Sequence, residues 1–277
     1  MVFNAERPGS RSLFFVKSAK IIPLRGLRLC LLLCSIVTLC LLLPHKVEAH
    51  QQDEFIILDI EQGEIQLESG KIDKEYVAAL KRKRLRKLAA MSSYEKFQLY
   101  IKAGFEHIIP KGLDHILFVL GLFFSSLVLA SLLWQITAFT LAHSITLGLA
   151  ALGMIGSLGN IIEPLIALSI VWIAIENCLF KKTSKWRPLV VFSFGLLHGL
   201  GFAAVLSEYG LPKDDLVASL VAFNIGIELG QLSLIFLAFM ITFFIQKKTW
   251  YRQLVQIPVS IIIGLVGCYW FVERLFF

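Results

Sequence analysis

Four histidines and several carboxylates stand inside stretches of this chain that otherwise hold little but aliphatic and aromatic residues. GFEHIIPKGLDHILF (Gly104 to Phe118) carries His107, Asp114 and His115, and the next apolar run carries Thr140, His143, Ser144 and Thr146. Further runs carry Glu163, Glu176 and Asn177, then His198 flanked by Gly195, Gly199 and Gly201, then Asn224, Glu228 and Gln231. Imidazole with carboxylate is a ligand set for divalent transition metals such as nickel, cobalt or zinc. An ionisable side chain at mid-membrane costs roughly 2.5–3.5 kcal/mol on insertion scales, so such residues turn toward an interior site. One buried histidine alone reads as a hydrogen bond between helices. Four histidines with four carboxylates read as a functional polar path.

Spacing groups these residues. Asn224, Glu228 and Gln231 stand at i, i+4 and i+7, which places them on one helix face. Thr140 and His143 share a face at i, i+3, and Gly195 with Gly199 forms a small-xxx-small pair that lets a neighbouring helix close on His198. Pro110 and Gly112 interrupt the chain just before Asp114, freeing backbone groups where a site can form. Adjacent Asp114 and His115 cannot point the same way from a regular helix, so one can ligate while the other orients a partner. The candidate metal set is His115, His143 and His198, with Asp114, Glu176 and Glu228 balancing charge, Asn224 beside Glu228, and His107 at the edge, where its loss should be the mildest. Glu163, beside Pro164 in a first helical turn, suits the helix dipole and reads as structural.

The elements that position this set are membrane spans. Apolar residues make up 57% of the 277 residues and charged ones 17%, more apolar surface than a soluble core of this length can hide. A bilayer core about 30 Å thick needs roughly 20 apolar residues per helix. Runs of that length recur over 113–133, 135–155, 161–180, 188–207, 216–245 and 255–275. Ahead of them a basic leader and a short apolar core from Leu27 to Leu43 end at Pro44, and Val47 and Ala49 fit a signal-peptidase site before His50. Residues 54–70 alternate around a Gly63 turn as a hairpin, and KEYVAALKRKRLRKLAAM reads as a basic amphipathic helix, its Lys81 to Lys87 run lying either near the headgroups or on a solvated face. The expected fold is an all-α integral membrane protein. It comprises a signal sequence over 1–49, a small exported polar region over 50–103, and a transmembrane bundle of about six helices over 104–277.

Charge placement orients the bundle. Lys181, Lys182, Lys185 and Arg187 share one short loop and Lys247, Lys248 and Arg252 another, and both belong on the cytoplasmic side. Loop 207–215 carries Glu208, Asp214 and Asp215 and belongs outside; counting back, the first span begins outside and residues 50–103 are exported. The basic run at 81–87 then lies on the unexpected side. The net charge of +7 is thereby accounted for by topology, which argues against nucleic acid as a partner. Cys30, Cys34 and Cys40 fall in the leader, and Cys178 and Cys268 lie in different spans, so redox chemistry gains no support. Met154 and Met240 stand apart from the polar set, which disfavours a soft copper(I) site. Segment 139–153 echoes 194–210 around His143 and His198, and Glu176 aligns with Glu228, as in a parallel repeat of two-helix units.

The segments GFEHIIPKGLDHILFVLGLF, WQITAFTLAHSITLGLA, IEPLIALSIVWIAIEN, FGLLHGLGFA and FNIGIELGQ resemble the HupE/UreJ family of bacterial membrane proteins, in the branch with a longer exported N-terminal portion. The resemblance covers roughly Gly104 to Phe236. It implies a protein of the bacterial inner membrane associated with nickel or cobalt uptake, in some members beside hydrogenase or urease genes. The family's His-Pro-Gly-Asp-His element carries over onto Pro110, Gly112, Asp114 and His115, with Ile109 where its first histidine would stand and His107 two residues earlier.

The expected activity is a metal-ion permease for nickel or cobalt, with zinc and copper as further candidates, working by alternating exposure of a site between helices. An accessory protein that delivers or senses metal for a metalloenzyme-maturation partner is the second class. An intramembrane metalloenzyme is the third, disfavoured because no H-E-x-x-H or nucleophile motif is present. At the mature N-terminus, the His50 imidazole and a free α-amino group would suit copper(II) or nickel(II).

Overall fold

The computed structural model describes residues 82–83, 86–126, 128–155, 159–180, 184–209 and 215–276, with backbone alone for 159–160 and 202–209. The signal sequence, its His50 boundary and the hairpin over 54–70 lie outside the described residues. The basic segment is helical at 82–83 and 86–90. Among the described residues there is no strand, and seven long helices carry the fold.

α1 spans Ser93–Ile108 and opens on a capping box, in which Ser92 Oγ accepts from the Glu95 amide at 3.3 Å and Glu95 Oε2 accepts from the Ser92 amide at 2.8 Å. Pro110 cannot continue the helical ladder and disfavours helix for the residue before it, so the chain breaks over 109–112. α2 then runs Leu113–Ser125, bent 71° from α1. α3 covers Leu129–Ala151 and ends in a Schellman motif: Gly153 takes φ 72°, its amide donates to Ala150 O, and the Met154 amide donates to Leu149 O. α4 is Gly159–Leu179, α5 Arg187–Tyr209 and α6 Leu216–Thr242. A π-helical turn over Arg252–Gln256 leads into α7, Ile257–Phe276.

The first span therefore differs from the one its hydropathy suggests. The run 113–133 is not one helix; α2 stops at Ser125 and α3 starts at Leu129, while the polar residues ahead of 113 belong to α1. An apolar tally cannot see this, because it runs through the turn between α2 and α3 and discounts α1 for its charges. Four helices among the described residues are long and apolar enough to cross a bilayer, five if the bent pair α1–α2 counts as one. The described residues are thus all-helical, and the chain is a multi-pass membrane protein.

Close packing fixes the helix directions. Gly104 of α1 lies against Phe223 of α6 and Gly230 of α6 against Ile108, while Lys96 and Asp215 pair at 2.6 Å near the starts of both helices, so α1 and α6 are parallel. Gly195 of α5 meets Phe139 of α3 and Gly199 meets His143 and Thr146, so α3 and α5 are parallel too. α4 and α7 are antiparallel: Gly267 meets Val171, Asn177 donates to Ser260 Oγ at 3.3 Å, and Arg274 donates to Glu163 O at 3.3 Å. α2 runs against α3, with His115 beside His143 and Phe118 beside Phe139. α5 reverses α4, with Arg187 on Glu176 and Gly201 on Ile166, and α6 reverses α3, with Thr140 on Gln231 and Gly148 on Leu220, so directions alternate from α2 onward.

Two apolar cores result. The larger gathers Phe118, Leu122, Phe139, Ile170, Ile173, Val255 and Ile263 from α2, α3, α4, the π-helical turn and α7. The smaller gathers Tyr100, Ile108, Leu147, Phe223 and Ile227 from α1, α3 and α6.

Candidate metal centre

The break between α1 and α2 faces the two parallel helices α3 and α5, and four histidines meet there. His107 closes α1 and His115 opens α2, their ring centroids 4.8 Å apart. His143 of α3 stands 6.0 Å from His107 and 5.8 Å from His115, and His198 of α5 stands 5.0 Å from His115. His115, His143 and His198 are each at most 4% exposed. Glycine makes this gathering possible. A Cβ on Gly195 would stand 2.5 Å from Phe139 O, and one on Gly199 would stand 2.5 Å from His143 O, so only glycine lets α5 lie this close to α3.

Two of the rings are held in a defined tautomer. Asp114 Oδ1 accepts from both the His115 amide, at 2.9 Å, and His115 Nδ1, at 3.1 Å. His198 Nδ1 lies 2.8 Å from Phe194 O, and a carbonyl oxygen can only accept, so Nδ1 carries the proton. In both rings Nε2 is left as the nitrogen with the lone pair. Both Nε2 atoms are buried without a hydrogen-bond partner, as are both ring nitrogens of His143. An imidazole anchored through Nδ1–H to a carboxylate or backbone carbonyl, with Nε2 bare, is the state in which histidine ligates metal. Asp114 thus takes the orienting part of the adjacent pair and His115 the donor part. Among the described residues no three His, Cys, Asp or Glu side chains, as they stand, converge tightly enough to hold an ion. The rings are gathered around a common space and not yet closed on a point.

Aromatic rings wall this space on one side. Phe139 lies 5.9 Å from His115, 5.0 Å from His198 and stacked at 6.2 Å on His143. Phe118 lies 5.2 Å from His198 and packs on Phe139 at 5.1 Å and Phe194 at 6.0 Å. The smaller apolar core closes the other side through Phe223, 5.7 Å from His107.

The structure sorts the expected residues. His115, His143, His198 and Asp114 come together, and His107 joins them in the centre, where sequence spacing had left it at the edge. Its helix ends at the break and turns the ring inward, so its loss is not expected to be milder. Glu176 goes elsewhere: its Oε2 pairs at 2.9 Å with Arg187 Nη1, and Arg187 Nε donates at 3.1 Å to Gln135 Oε1. Arg187 itself is 2% exposed, a buried partner at the start of α5 and not a loop cation. Glu228 accepts from Thr137 Oγ1 at 3.0 Å, and Asn224 donates to Leu220 O at 2.8 Å within its own helix. Their hydrogen bonds go to a threonine and to the helix backbone, not to a histidine. Phe118 and Phe139 were missed because an aromatic residue in an apolar span carries no polar signal; their places three residues after His115 and four before His143 became meaningful only once the helix directions were known.

A family model described as HupE / UreJ protein matches residues 82–274. No curated protein and no solved structure matches the chain. The match takes in every helix from α1 onward, all four gathered histidines and the broken span that brings two of them together, and the chain belongs to the HupE / UreJ family.

Proposed function

We propose that this protein is a permease for a divalent transition-metal ion, nickel or cobalt, in the bacterial inner membrane, and that His107, His115, His143 and His198 bind the ion as cargo. The HupE / UreJ family is associated with nickel or cobalt transport or with urease and hydrogenase maturation. The observation that carries the reading is the pair of anchored imidazoles: Asp114 on His115 Nδ1 and Phe194 O on His198 Nδ1, each leaving a bare, buried Nε2 beside His143. A centre built only for packing would have no use for unpaired nitrogens, since a buried polar atom without a partner is costly.

The position supports transport. Broken helices in membranes expose backbone and side chains at mid-depth, where transporter sites form. Counting α1–α2 as one crossing and α5 as another makes six, and basic loops on the cytoplasmic side would leave loop 207–215 and residues 50–103 outside. The phenylalanine wall then lies between the histidines and the cytoplasmic ends of α2, α3 and α5. Side-chain rotation would draw the rings onto an ion, and separation of the wall would release it inward.

Flux separates this reading from a delivery or sensing accessory. Protein reconstituted in liposomes should accumulate nickel or cobalt, and His143→Ala and His198→Ala should abolish accumulation while inserting normally. Binding without flux in the wild type would establish the accessory instead.

A further inference from the structure

Glu228 stands apart from the histidine centre, and its surroundings are unusual. It stands near the middle of the 27-residue α6, half-buried, and takes its hydrogen bond from Thr137 Oγ1 of α3 at 3.0 Å. No Lys, Arg or His among the described residues pairs with it. Charged groups on the elements packed against α6 are engaged elsewhere. Lys96 of α1 holds Asp215 at 2.6 Å, Lys102 and Lys111 lie 3.6 and 3.8 Å from Glu106, and Asp114 of α2 holds His115. His107 of α1, 5.7 Å from Phe223 of α6, and His143, the one titratable side chain of α3, both belong to the histidine group.

Glu228 is also part of a seam. On α6 it lies between Asn224 and Gln231, whose Oδ1 and Nε2 are both buried with unused hydrogen-bonding capacity. On α3, Thr137 meets Glu228, Thr140 Oγ1 donates to Gln231 Oε1 at 2.9 Å, and Ser144 Oγ donates to Thr140 O at 2.6 Å. From Asn224 to Gln231 this polar strip covers about 10 Å of helix rise. It runs beside His143 without including a histidine. An unpaired carboxylate at mid-membrane is costly when charged, and neutralisation by a proton removes that cost. Hydroxyl and amide groups on both sides can pass hydrogen bonds along the seam in either protonation state.

We propose that the α3–α6 seam is a proton-binding site with Glu228 as its acceptor, and that metal passage is coupled to proton movement through it. The proposal rests on the permease reading. The step is a reversible protonation: one Glu228 carboxylate oxygen takes a proton from water on one side of the membrane and returns it to water on the other. Only an O–H bond forms and breaks.

The test uses full-length protein in liposomes loaded with a pH-sensitive dye, with nickel or cobalt added outside. The wild type should show a metal-dependent change in internal pH, and an imposed pH gradient should change its rate of metal uptake. Glu228→Gln should lose both effects while binding metal as the wild type does, and Glu228→Asp should retain them. Wild-type uptake with no pH change overturns the proposal and leaves the permease standing, as does a pH response preserved in Glu228→Gln. If Glu228→Gln fails to insert, the wild-type pH measurement and Glu228→Asp decide alone: a silent dye, or an aspartate variant with uptake indifferent to the pH gradient, overturns it.

Discussion

Asp114 illustrates how one side chain can matter without touching the ion. Its Oδ1 fixes both the backbone start of α2 and the His115 ring, so asparagine would keep the shape and lose the charge that anchors the Nδ1 proton. Second-sphere partners of this kind typically change metal affinity about 10–100-fold. Asp114→Asn should therefore weaken nickel or cobalt binding to that extent in calorimetric titration, with unchanged membrane insertion. Unaltered affinity would mean His115 is held by packing alone. At the same scale, His107→Ala should cost as much binding as His143→Ala, because both rings border the same space.

Helix contacts carry the next set of constraints. The buried ion pair of Arg187 and Glu176, with Gln135, ties the start of α5 to the end of α4 and to α3. Removing one partner strands a buried charge, a loss of about 3–5 kcal/mol, whereas replacing both with apolar residues is often close to neutral. Arg187→Leu should lower the Tm in detergent markedly, and Arg187→Leu with Glu176→Leu should recover much of it. A double variant as unstable as the single one would show that the carboxylate has another task. Gly199→Val tests the α3–α5 approach: overpacking of this kind costs about 1–3 kcal/mol and should also disperse the histidines, lowering metal affinity together with Tm.

Elements were legible in the sequence where one signal governed them. Long apolar runs mark α4 to α7 to within three residues, α3 is displaced because its first turn is counted into the preceding run, and the glycines around His198 announce a close neighbour. α1 was obscured because Lys96, Lys102 and Glu106 give it a polar composition, although SSYE at 92–95 carries the capping signature of a helix start. The histidines were legible as a group by residue type. Which carboxylates join them was not, because the choice between Asp114, Glu176 and Glu228 depends on tertiary partners: Arg187 takes Glu176, and Thr137 takes Glu228.

For the whole molecule, the proposed orientation puts both basic loops in the cytoplasm and the acidic loop outside. Single cysteines introduced at Lys185 and Lys248 in a background lacking all five native cysteines should react with membrane-impermeant maleimide only after the cells are opened. A cysteine at Asp215 should react in intact spheroplasts. Labelling of Lys185 from outside would invert the molecule and turn the phenylalanine wall toward the exported side.

The central claim is that a divalent metal sits among the histidines at the break between α1 and α2. X-ray absorption at the metal edge of purified protein loaded with one equivalent of nickel or cobalt reads that coordination directly. The account predicts outer-shell scattering from several imidazoles, reduced in His143→Ala and again in His143→Ala with His198→Ala. An imidazole-free shell, or one unchanged in both variants, would contradict it.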